Sequence, residues 1–131
     1  MGDELRVGLI GEANGHVTRD STARAIGSGS LEVFATPAMI ALMEAASVAA
    51  IDNALDEGIS TVGIDINVRH LSATPIGENV TAIAEVSEID GKRVRFEVRA
   101  WDEQELIGEG THTRYIIQVE QFLNRLNEKN D

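Results

Sequence analysis

The chain has 131 residues, 43% of them apolar and 4% aromatic, and a formal net charge of −11 at pH 7. That length accommodates one domain over 1–131 with a single core, and the acidic balance argues against nucleic acid or an anionic membrane as partner, since both select basic surfaces. No cysteine occurs, which excludes disulfides, thiolate metal sites and a cysteine nucleophile, and the N-terminus lacks a long apolar h-region, so a cytoplasmic location is expected.

Leu5 to about Thr18 reads as an irregular strand, interrupted by Gly8, Gly11 and Gly15. Asp20 to Ser30 is small, polar and rich in Gly and Ser, the composition of a loop or flap. Thr36-Pro37 then reads as a helix start, with Thr offering a capping oxygen and Pro fitting where the first N–H lacks a partner. From Pro37 to Ile51 there is no Gly and no further Pro. Apolar side chains there occupy every face, so the helix is expected to be wholly buried and wrapped by strands. Its polar end, Asp52 to Glu57, is incompatible with a membrane span, and Gly58 supplies the stop.

Thr61 to Leu71 alternates, with Val62, Ile64, Ile66, Val68 and His70 on one face and Gly63, Asp65, Asn67 and Arg69 on the other. Thr74-Pro75-Ile76-Gly77 is a turn, Asn79 to Ile89 a strand, and Asp90-Gly91 a hairpin signal. Arg93 to Trp101 alternates again, with Val94, Phe96, Val98 and Ala100 inward and Arg93, Arg95, Glu97 and Arg99 outward. After a polar turn at Asp102 to Glu105, Leu106 to Val119 is the last strand and Glu120 to Lys129 a short terminal helix. One long apolar helix against a first strand and a meander of four more is an α+β architecture, an antiparallel sheet wrapped around a helix as in the hot-dog fold. The open edges of such a sheet predict at least a dimer.

Three residues stand out by position. Glu44 is the only charge between Pro37 and Ile51, and a carboxylate there either reaches solvent or an arginine, or lines a cleft and does chemistry. Thr36 is a helix cap or a hydrogen-bonding group of a site. His70, on the apolar face of its strand, is a satisfied core histidine or a catalytic one, with His112 as its competitor. Gly63 lets a ligand approach the backbone closely. The outward Arg93, Arg95 and Arg99, with Lys92, form a solvated face or a basic row suited to a phosphate-bearing ligand. His16 has no evident partner. No metal-ligand spacing and no phosphate loop occur.

Val33-Phe34-Ala35-Thr36, Leu42-Met43-Glu44, Gly63, Val68-Arg69-His70 with Ala73-Thr74-Pro75, and Ile107-Gly108-Glu109-Gly110-Thr111-His112 follow one another in an order and spacing that resembles the fluoroacetyl-CoA thioesterase family, from about Arg6 to Phe122. The resemblance implies a hot-dog dimer that hydrolyses short acyl-CoA thioesters without metal, CoA entering only as part of the substrate. It implies Thr36, Glu44 and His70 as the catalytic trio and Gly63 as a substrate contact through its backbone; Phe34 and, from the basic row, Arg93 and Arg95 are further candidate substrate contacts. Glu44 would attack the thioester carbonyl or activate a water, Thr36 would orient it or the oxyanion, and His70 would assist proton transfer. Thr36 and Glu44 are eight residues apart, about 12 Å along a helix. They serve one site only if the chain before Pro37 folds back or a partner subunit supplies one of them. The family's best-known member carries an aromatic lid before the Val-Phe-Ala-Thr segment, where this chain has Gly27-Ser28-Gly29-Ser30, so a broader or different small acyl group is implied. Two alternatives stand beside this reading: a non-catalytic acyl-CoA or small-ligand binding module, and a hot-dog enoyl-CoA hydratase. The hydratase needs an Asp/His pair, and strand alternation points Asp65 away from His70.

Overall fold

A computed structural model describes residues 4–130. Asp90-Gly91 reverses the chain as its sequence dictates, with Gly91 at φ 60° joining β3 (Asn79–Asp90) to β4 (Arg93–Trp101). The other strands are β1 (Ile10–His16), β2 (Ile59–His70) and β5 (Leu106–Gln118). The helices are α1 (Ala23–Ile26), α2 (Thr36–Ile51) and α3 (Val119–Glu128), with 3-10 turns at Arg19–Ser21 and Asp52–Ala54. The expected flap thus carries a 3-10 turn and a short helix, and the first strand is shorter than its sequence suggests. No helix among the described residues is long and apolar enough to cross a membrane.

The five strands form one antiparallel sheet in the order β1-β3-β4-β5-β2. The expected four-strand meander is therefore corrected: only β3, β4 and β5 meander, and β2 pairs with β5 at the far edge. Residues 71–78 are long enough to carry the chain across, and they are pinned on the way, where the Phe34 N–H donates to the Thr74 carbonyl.

On the inner face of the sheet, Val80, Ala82, Ala84, Val86, Val94, Phe96, Val98 and Ala100 are buried, as alternation requires. Against them α2 lays Met39, Met43, Ala46, Ser47, Ala50 and Ile51. Small residues set how close the helix comes. A Cβ on Gly11 of β1 would collide with the Ala46 carbonyl and the Ala50 backbone. The helix is not wholly buried, however. Val48 is 39% exposed and Ala41, Ala45 and Ala49 are also exposed, because the curled sheet covers only one flank of α2. On edge strand β2, Ile64 and Ile66 are likewise open.

One irregularity in β2 matters more than any other. Gly63 pairs with Arg114 and Asp65 with Thr113, so Ile64 is an extra residue in the ladder. Directly opposed residues of an antiparallel pair share a face. The bulge therefore puts Gly63 on the same side as Ile66, Val68 and His70, correcting the strict alternation that set them apart.

Candidate active site

The exposed stripe of α2 holds two of the candidate residues, Thr36 and Glu44. At its start, Ala35 is the N-cap and Thr36 is already the first helical residue. The expectation of a capping Thr36 is corrected: its hydroxyl is free of the helix and lies 2.7 Å from His70 Nδ1. His70 Nε2 is buried and has no partner among the described residues. The pair borders a recess of about 320 Å³, lined also by Phe34, Ser28, Ser72 and Ala73. Thr36→Val is accordingly expected to leave thermal stability within about 0.5 kcal/mol, where loss of a true cap costs about 1 kcal/mol. Turnover should fall at the same time; comparing the melting curve with the rate separates the two roles.

Two turns on, Glu44 meets a different set of groups. Its Oε2 lies 3.5 Å from Arg114 Nη1 and 3.9 Å from His112 Nε2. Its side chain is 41% exposed, so it is neither a core carboxylate nor free in solvent. Arg114, only 8% exposed, is clamped from behind: Nε donates to Thr61 Oγ1 at 2.8 Å, Nη2 to the Thr61 carbonyl at 3.1 Å, and Nη1 to His112 Nε2 at 3.2 Å. A Cβ on Gly63 would stand 2.9 Å from Glu44 Oε2 and 3.3 Å from Arg114 Nη1, so any larger residue would push into the cluster. A cleft of about 290 Å³ opens over Glu44, Gly63, Ile64, Asp65, Ile66 and His112.

The structure thus brings Thr36 to His70 and Glu44 to Gly63, as two separate clusters along one chain. Phe34 sits with the first. Arg93 and Arg95 sit with neither; they lie on the outer face of the sheet, opposite α2, beside Glu88, Asp90 and Thr113. Sequence reasoning passed over Arg114 and Thr61. The signal was parity: Arg114 shares its face of β5 with His112 and Ile116, and so points toward the helix rather than toward solvent.

Burial lowers the pKa of His70 below its ordinary 6.5. Burial, aided by the neighbouring Arg114 cation, does the same for His112 against the hydrogen bond to the Asp65 carbonyl and the weaker pull of Glu44. Both rings are depressed in the folded state, so the unfolded chain takes up these protons first as pH falls. Their neutral forms leave stability intact above about pH 6.5, and it is lost progressively as pH drops below that toward the folded values. Melting temperatures are expected to be flat from about pH 8 to 7 and to decline below about 6.5; a rise on acidification would reverse the sign of both shifts.

Residues 17–120 match the family model described as fluoroacetyl-CoA-specific thioesterase. The chain belongs to that family. Among relatives of the fluoroacetyl-CoA-specific thioesterase family, it is 42% identical over 98 residues to the fluoroacetyl-CoA thioesterase of Streptantibioticus cattleyicolor, covering 75% of this chain and 70% of the relative. A solved structure of a fluoroacetyl-CoA thioesterase superposes with a TM-score of 0.90 at 36% identity, covering 97% of this chain and 98% of that one. A hypothetical protein of Thermus thermophilus, described as a thioesterase superfamily member, superposes at 0.85 with 30% identity, over 95% and 94% of the two chains. The hot-dog fold and a thioester-hydrolase family follow from these matches together with the curled five-stranded sheet.

Proposed function

We propose that the chain hydrolyses a small acyl-CoA thioester to the free acid and CoA, with Glu44, Thr36 and His70 acting in one site completed across a homodimer. The observation that carries this is the Glu44 carboxylate, fixed by Arg114 over the bare backbone of Gly63 and open to a cleft. An anchored carboxylate beside an uncovered backbone can reach a carbonyl carbon or a water poised next to it. In one route Glu44 takes a proton from water, the oxygen adds to the thioester carbonyl, and the tetrahedral intermediate expels the CoA thiolate. In the other, Glu44 itself adds, expels the thiolate and leaves a mixed anhydride for water to cleave. His70, one nitrogen engaged by Thr36 and the other unpartnered, supplies or accepts the proton that either route moves. The recess beside Thr36, where Phe34 is the one aromatic residue in a lining otherwise of small residues, Val33, Leu71 and His70, suits fluoroacetyl and other small acyl groups alike. The protein acts in the cytoplasm with no metal and no cofactor beyond the CoA of its substrate.

A dimer joins the two clusters. The open face of α2, with Val48, Ile64 and Ile66 exposed, is apolar and continuous with the edge strand. In a two-fold interface each protomer presents the same patch to the other. Antiparallel packing of two such stripes sets the Thr36–His70 pair of one copy against Glu44 of the next, spanning the separation of about 12 Å within a chain. Mixing inactive Glu44→Gln with inactive His70→Ala is then expected to restore about a quarter of wild-type activity, because half the dimers hold one intact site of two. No restoration would place the trio within one chain. The activity itself is tested by free-thiol release from a panel of acyl-CoA esters, which is clean because the protein has no cysteine. Rapid release from a short-chain ester supports the reading; ligand binding without release would make the chain a binding module.

A further inference from the structure

His112 is 1% exposed on the helix-facing side of β5, and the trio leaves it no task. Its two ring nitrogens have unlike neighbours. Nδ1 lies 2.8 Å from the Asp65 carbonyl oxygen, which only accepts, so Nδ1 carries a proton and donates it. Nε2 lies 3.2 Å from Arg114 Nη1, which only donates, so Nε2 presents its lone pair. Both contacts are met by one species, the neutral imidazole protonated at Nδ1. The bulge in β2 makes this arrangement, because Asp65 directly follows the extra residue Ile64. Phe96 holds the ring from β4, with centroids 6.1 Å apart and planes 26° from parallel.

We propose that His112, in this single tautomer, is a positioning residue that holds Arg114 Nη1 against Glu44 and releases it when Nε2 is protonated. The inference rests on the reading of Glu44 as the reacting carboxylate. Arg114 Nη1 is the atom that meets both His112 and Glu44, while its other nitrogens are held by Thr61. Fixing Nη1 therefore fixes the carboxylate. The groups facing the ring are Arg114 from β5, Glu44 from α2, Asp65 from β2 and Phe96 from β4. A proton on Nε2 would aim an N–H at a guanidinium with no lone pair, and would turn the ring toward Glu44, 3.9 Å away. His112 would then compete with Arg114 for the carboxylate and draw it from its place over Gly63.

The first test needs no turnover. In the whole protein labelled with 15N-histidine, the three histidines are assigned by elimination with His16→Gln and His70→Gln. At about pH 7 His112 is expected to show a protonated Nδ1 and a bare Nε2. The opposite tautomer, or an imidazolium at that pH, overturns the proposal. Arg114→Met, by removing the cation and the donor at Nε2, should move the His112 titration to higher pH; no movement overturns it as well. In turnover, His112→Phe keeps the ring's bulk and is expected to lower kcat by about 10- to 100-fold with little change in KM, the scale of one buried hydrogen bond to a charge. His112→Gln, whose oxygen can stand near the Nε2 position, should recover most of it. A folded His112→Phe with wild-type kcat removes the positioning role. No turnover of any acyl-CoA by the intact protein removes that role together with the proposed activity, while the 15N spectrum still decides the tautomer.

Discussion

Glu44→Gln is expected to lower kcat/KM for acyl-CoA hydrolysis by about 10³-fold, in the range that loss of a general base or carboxylate nucleophile costs. The substitution is isosteric, so the cleft over Gly63 keeps its shape and the substrate should still bind. What disappears is the negative charge, and with it the power to take a proton from water or to attack the thioester carbon. Arg114 loses its counter-ion, but Thr61 and His112 still satisfy three of its N–H groups. Because Glu44 is 41% exposed, the stability cost is discounted to about 1 kcal/mol or less. A thiol-release assay on the variant, with substrate binding followed in parallel, checks both parts. Release at the wild-type rate would leave a thioesterase whose chemistry lies elsewhere, with the Thr36–His70 pair the first place to look.

The second large effect is structural. Gly11→Ala is expected to destabilise the protein by about 3 kcal/mol, at the upper end of what overpacking a core costs. The added methyl group would meet backbone, not a side chain that could turn aside: the Ala46 carbonyl and the Ala50 main chain of α2. Strand β1 is paired to β3 along seven residues, so it cannot retreat without breaking ladder hydrogen bonds, and α2 cannot retreat without opening the cavity that Met39 and Met43 fill. For a chain of this size the melting temperature should fall by roughly 10 °C. Chemical denaturation of the variant gives the same quantity independently, and a loss below 1 kcal/mol would mean that the helix and sheet slide apart more easily than their packing suggests.

Much of this molecule could be read before any coordinates. The helix from Thr36, the hairpin at Asp90-Gly91, the alternation of β4 and the apolar inner face all follow from local rules, because period, turn chemistry and helix signals act over a few residues. The ordered motifs from Phe34 to His112 likewise carried the family. Tertiary structure decided the rest. Strand order could not be read because residues 71–78 are compatible with either edge of the sheet, and only pairing energy across the whole chain selects β5 for β2. The phase of β2 could not be read because a bulge inserts one residue without any local mark, and that single residue turns Gly63 toward Glu44. Thr36 proved free of capping because Ala35 holds the N-cap place, which leaves its hydroxyl to His70. Arg114 escaped notice because a cation on a buried face is tolerable only when Thr61, His112 and Glu44 converge on it from three different elements. Sequence determined which candidate residues the chain holds; long-range packing determined which of them meet.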